Sequence, residues 1–68
     1  MKLAINGTIR DFEHPPPLLD VIEAHAGPGA PPGVAVAING EVVRRASWPD
    51  VRLADGDEVE IVKATQGG

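Results

Sequence analysis

The sequence predicts an α+β domain in which one main helix covers one face of a mixed sheet, in the order β-β-α-β-β-β. Three observations lead there. Two Asn-Gly pairs, Asn6-Gly7 and Asn39-Gly40, each sit between runs of strand-forming residues. One stretch, beginning at Leu18, repeats its apolar residues at helical spacing, and a last run, Glu58 to Lys63, alternates again. One helix stripe and one sheet face bury each other most economically when the first lies on the second.

The elements follow in order. Lys2 to Ile5 puts Leu3 and Ile5 on one face, and Thr8 to Phe12 alternates after the turn. A type I′ turn needs positive φ at both central positions, which Asn-Gly supplies, so the two runs form a hairpin. Pro15-Pro16-Pro17 cannot lie inside a sheet. Pro17 is expected as the first residue of the helix, where its missing N–H costs nothing. Leu18, Leu19, Ile22 and Ala26 make the expected buried stripe, with Asp20 and Glu23 on the other side and Gly27 as the stop. The Pro- and Gly-rich segment from Gly27 to Gly33 reads as a surface connector.

Val34 to Ile38 and Glu41 to Arg44 form the second hairpin, with Val34, Val36 and Ile38 on one face and only Ala35 and Ala37 opposite. Ser47 to Asp50 reads as a turn or a single helical turn, with Trp48 anchored in the core and Val51 and Leu53 packing back. Arg44-Arg45 reads first as a pair of solvated edge residues. Asp55-Gly56-Asp57 is a tight turn into the closing strand, whose Val59 and Ile61 point inward and which is expected beside the first strand. Residues 1–63 are thus the folded domain, and 64–68, ending in Gly67-Gly68, read as a mobile tail.

Composition narrows the function. A chain of 68 residues makes one domain, and it contains no cysteine, which excludes disulfides, thiolate metal sites and a cysteine nucleophile. With Phe12 and Trp48 as its two aromatic residues, its core must be aliphatic, and little room remains for a buried catalytic apparatus. We therefore expect a protein that is not an enzyme and binds no cofactor or metal itself. His14 and His25 read as surface residues, and Asp50, Asp55 and Asp57 lack the spacing of a calcium loop. A net charge of −4 disfavours nucleic acid, and the longest apolar run, Val34 to Ile38, is far too short for a membrane span. With no signal-like apolar segment after Met1-Lys2, a cytoplasmic location is expected.

The Gly-Gly end fits a chemical need. A carboxylate is a poor electrophile and has to be activated in another protein's nucleotide site. Residues without Cβ can thread a narrow channel to reach it.

Taken together, these residues resemble the ThiS family, the sulfur carrier proteins of thiamine biosynthesis. The matching stretches are Met1-Lys-Leu-Ala-Ile-Asn-Gly7, Val34-Ala-Val-Ala-Ile-Asn-Gly-Glu-Val-Val43 and Arg45-Ala-Ser-Trp48. They continue with Leu53-Ala-Asp-Gly-Asp-Glu-Val-Glu-Ile-Val62 and the closing Gln66-Gly-Gly68. The departures fall mostly within Asp11 to Gly33, where three prolines replace the Ser or Thr that the family tends to place before its helix.

The resemblance implies a ubiquitin-like β-grasp fold and a carrier role. A ThiF-type adenylyltransferase, related to ubiquitin-activating enzymes, would use ATP and magnesium to adenylate the Gly68 carboxylate. A persulfide donor would then convert Gly68 to a thiocarboxylate (1-thioglycine), which delivers sulfur to a ThiG-type thiazole synthase. On this view Gly68 bears the chemistry, Gly67 gives clearance, and Gln66 and Thr65 contact the partner along the tail. Val62, on the outward face beside the tail, is the expected docking residue, with Ala35, Ala37 and Arg44-Arg45 as weaker candidates. The alternatives are a carrier for molybdopterin, cysteine or thionucleoside synthesis, a ubiquitin-like modifier, or a non-covalent binding module.

Overall fold

The computed structural model describes residues 1–64. Strands β1 (Lys2–Ile5) and β2 (Thr8–Asp11) come first, followed by helix α1 (Leu18–Ala26). Next are β3 (Val34–Ile38), β4 (Glu41–Val43), a 3-10 helix (Arg45–Asp50) and β5 (Glu58–Lys63). The five strands form one sheet in the order β2-β1-β5-β3-β4. The last strand therefore lies in the middle, parallel to β1 (Ile5 opposite Val59) and antiparallel to β3 (Val36 opposite Ile61). This is the mixed sheet with one main helix that the sequence predicts, a β-grasp topology.

Both hairpin turns have the backbone that Asn-Gly favours. Asn6 and Gly7 have φ of 49° and 84°, and Asn39 and Gly40 have 52° and 82°. Turns of this kind suit the right-handed twist of paired strands, and the two hairpins pair Ile5 opposite Thr8 and Ile38 opposite Glu41.

One face of the sheet is buried by the helix. Leu3, Ile5, Val36, Val59 and Ile61 point into the core, as do Leu18, Val21, Ile22 and Ala26 from α1. Trp48 and Leu53 close the end of the core, and the indole N–H donates to the Val43 carbonyl at 3.1 Å. Trp48 is thus the core anchor that the sequence suggests, with its polar atom satisfied.

Three details differ from expectation. Pro17 is the N-cap rather than the first helical residue: its ψ of 141° is extended, and its carbonyl accepts from Asp20 N–H at 3.0 Å. The cap position suits it equally, since a cap's N–H is not needed for the helical ladder. The buried stripe takes Val21 and leaves Leu19 42% exposed, because the small Ala26 and the branched Val21 mark its two margins. The Gly27–Gly33 segment is more than a surface connector. Ala30 is buried inside it with φ of 51°, in the left-handed region where a Cβ is strained.

Candidate functional site

The expected site begins where β5 ends. Being central, β5 has hydrogen-bonded neighbours on both sides, and the asparagines of the two hairpin turns add further bonds. Asn6 donates its backbone N–H to the Val59 carbonyl at 2.9 Å. Its side-chain amide then accepts from Ile61 N–H at 2.7 Å and donates to the Ile61 carbonyl at 3.1 Å. That amide therefore stands in for a peptide unit and prolongs the β1 ladder beyond the point where the chain turns away. Asn39 acts at the other end of β5: its Oδ1 accepts from Glu58 N–H at 2.9 Å, and its Nδ2 donates to Asp57 Oδ1 at 3.0 Å.

The Asp55-Gly56-Asp57 turn is tied down as well. Asp55 accepts from Lys2 N–H at 2.6 Å, and Asp57 Oδ2 accepts from Ala54 N–H at 2.8 Å. At the far end, Ala64 still donates its N–H to the Gly33 carbonyl at 2.9 Å. The end of β5 is thus held on both sides. The expected site residues Thr65, Gln66, Gly67 and Gly68 lie outside the described residues, as does the tail reading beyond Ala64.

Val62 is the one expected site residue that is described. It is 60% exposed on the sheet face opposite the helix, with Ala35 across the strand pair. Alternation brings further apolar groups to the same face: Ile9 opposite Ala4, and Val42 opposite Ala37. Ile9 and Val42 are 62% and 74% exposed. Glu58 and Glu60 stand between them on β5, opposite Ala4 and Ala37. The outcome is a shallow apolar face with an acidic centre and no bulky side chain to keep a partner away. A cavity of about 540 Å³ borders it, lined by Ala4, Asn6, Gly7 and the β5 residues Glu58 to Val62.

Lys2 and Asp11 form an ion pair at 2.7 Å at the margin of this sheet. The hydrogen bond and the opposite charge hold the Asp11 carboxyl below its ordinary pKa and lift Lys2 above its own.

The other weaker candidates separate. Ala35 and Ala37 belong to the apolar face, and Arg44 is exposed at the start of the 3-10 helix. Arg45 is exposed, as expected, but it is also tied to the fold. Its Nη2 donates to the carbonyls of Ala30 at 2.8 Å and Pro31 at 3.0 Å, and its guanidinium lies 4.5 Å from the centre of the Trp48 ring. Sequence reasoning missed this role and the bracing by Asn6 and Asn39. The available signal was that both turns begin with Asn, whose amide can do more than tolerate a positive φ.

Among the described residues no cluster of three potential metal ligands occurs, and His14 and His25 are both exposed. No helix among them is long and apolar enough to cross a membrane.

A family model described as the ThiS family matches residues 3–68. No curated protein sequence matches the chain. Among solved structures, the chain is similar to the crystal structure of a thiamine biosynthesis protein (ThiS) from Geobacter metallireducens. The two share 28% identity and a TM-score of 0.77, and the likeness covers 100% of each chain.

Proposed function

Because the chain belongs to the ThiS family and is a sulfur carrier of that kind rather than an enzyme, we propose that it carries sulfur as a thiocarboxylate on Gly68 for thiazole synthesis. In this reading Gly68 is the terminal residue. Its carboxylate oxygen attacks the α-phosphorus of ATP within a ThiF-type adenylyltransferase, with magnesium supplied by that enzyme, and pyrophosphate leaves. The acyl adenylate now has AMP as a good leaving group. A persulfide sulfur attacks the carbonyl carbon and expels AMP, forming an acyl disulfide. A thiol then cleaves the S–S bond and frees the thiocarboxylate, which passes its sulfur to a ThiG-type thiazole synthase.

The observation that carries this reading is the family match itself, which runs through Gln66-Gly67-Gly68. The described site supports it in two ways. Hydrogen bonds at Asn6 and Gly33 hold the root of the tail. The adjoining face, with Val62, Ala35 and Ala37 beside the acidic Glu58 and Glu60, gives a partner a shallow surface on which to seat while the tail reaches its active site. In the same proposal Gly67, having no Cβ, gives clearance one residue before the reacting carbon, and Gln66 and Thr65 contact the partner.

The experiment is intact-mass analysis after incubation with ATP, magnesium, a cognate adenylyltransferase and a sulfur donor. The expected gain is the difference between one sulfur and one oxygen atom, localised to Gly68. An unchanged mass with a verified cognate enzyme, or conjugates to target lysines alone, contradicts the proposal.

A further inference from the structure

On the helix side of the sheet, a groove of about 570 Å³ lies between the start of α1 and the 3-10 helix. Its lining is largely apolar: the Pro15-Pro16-Pro17 run and Leu19 from the segment leading into α1 and its first turn, Trp48 and Pro49 from the 3-10 helix. The prolines contribute no N–H donor, and Leu19 is the large apolar residue of α1 that the core leaves exposed.

The charge of this groove is opposite to that of the molecule. The chain has ten acidic and six basic residues. Yet the groove lining includes two arginines, Arg45 and Arg52, and no acidic side chain. Arg45 is already ordered by the Ala30 and Pro31 carbonyls and by the Trp48 ring. Those contacts use one terminal nitrogen, and its remaining N–H donors have no partner among the described residues. Arg52 makes no hydrogen bond or ion pair among the described residues. A guanidinium ordered in advance loses little freedom when an anion arrives, and its planar fork suits a carboxylate.

We propose that this groove binds a short peptide segment of a partner protein in which an apolar side chain stands beside a carboxylate. The apolar side chain packs against Leu19 and the exposed Pro17 and Pro49, above the buried Trp48, and the carboxylate faces Arg45 and Arg52. Neither half suffices alone: an apolar segment leaves the arginines unused, and a simple anion leaves the apolar lining wet. A polyanion such as nucleic acid is repelled by the net charge of −4. Its lining comes from two separate elements and combines apolar groups with two guanidinium groups, which suits a peptide segment with side chains of both kinds.

This site goes beyond the sulfur-carrier reading and does not depend on it. No residue of the groove lies on β5 or on the face that bears Val62. A segment bound here leaves that face open to an activating enzyme, so two partners can be held at once.

Selection of a random library of short linear peptides against the full-length protein tests the proposal. We expect enriched sequences to share an apolar residue next to Asp or Glu. A synthetic peptide of that consensus should shift the NMR signals of Leu19, Arg52 and the Trp48 indole N–H. Arg52→Glu, at an exposed position, should weaken it by about tenfold or more through like-charge repulsion. Leu19→Glu should do the same, whereas Val62→Glu should not. Failure to enrich any consensus, a consensus without an acidic residue, or undiminished binding by Arg52→Glu overturns the proposal. Sulfur loading of Arg52→Glu should stay at the wild-type level, so failure here is distinguishable from failure of the carrier reading.

Discussion

The two Asn-Gly turns have nearly the same backbone, yet they serve the central strand differently. Asn39 ties the start of β5, where Glu58 is exposed and water can replace a lost bond. Asn6 ties Ile61, a core residue two positions before the strand ends, through a paired donor and acceptor. Local turn chemistry accounts for the asparagine in each hairpin equally well. What each amide does afterwards depends on which strand the topology brings beside it. The lesson is that the turn nearer the end of β5 also helps to hold that end.

Substitutions at the two turns should separate these roles. The largest effect is expected for Asn6→Ala, which leaves Ile61 N–H and C=O without their partner and puts a Cβ-bearing residue lacking a local hydrogen bond at φ of 49°. Together these should cost about 3 kcal/mol in urea unfolding. Glycine keeps the backbone and removes only the amide, so Asn6→Gly should cost about 1–2 kcal/mol and Asn39→Gly about 1 kcal/mol or less. Hydrogen exchange sharpens the contrast. Asn6→Gly should speed exchange at Ile61 and its neighbours towards Lys63, while Asn39→Gly should speed it at Glu58. Equal patterns in both variants would show that the turns merely close hairpins.

A comparison of the two sheet faces gives a different kind of effect. Val62→Glu adds charge to an exposed position beside Glu60 and should leave the unfolding midpoint almost unchanged. It should weaken docking to the activating enzyme by about tenfold, seen as a higher KM for the carrier. The smallest effect belongs to the exposed Lys2–Asp11 pair. With the Asp11 pKa lowered, its contribution is present above the unfolded carboxyl pKa and is lost as pH falls through the folded one. With the Lys2 pKa raised, its contribution is full below the unfolded lysine pKa and is lost as pH rises through the folded one. Lys2→Gln should therefore cost a little stability around neutral pH, with the variant and the parent converging towards either extreme, as pH-dependent unfolding would show.

Much of the architecture was legible because it rests on local codes. Asn-Gly sets the two hairpins, alternation places Val59 and Ile61 inward, and Gly27, with φ of 104°, ends the helix. What escaped sequence reading was tertiary. Whether Leu19 or Val21 joins the core depends on the direction from which the sheet approaches a helix whose apolar residues span both. Ala30 was hidden in a segment whose composition says only loop, and its burial follows from the loop folding inward. Arg45 looks like any surface arginine until the Ala30 and Pro31 carbonyls and the Trp48 ring are brought to it. At the site, period-two alternation was enough to set Val62 outward, but nothing in it tells which partner uses that face.

The central claim is that the terminal carboxylate is the reagent and the β-grasp body its handle. Deletion of Gly68 tests it most directly, with sulfur loading by intact mass and urea unfolding measured on the same preparation. The account predicts that loading by the cognate enzyme disappears while the unfolding midpoint stays that of the full chain. Persistent loading of the shortened chain, or its unfolding, would contradict it.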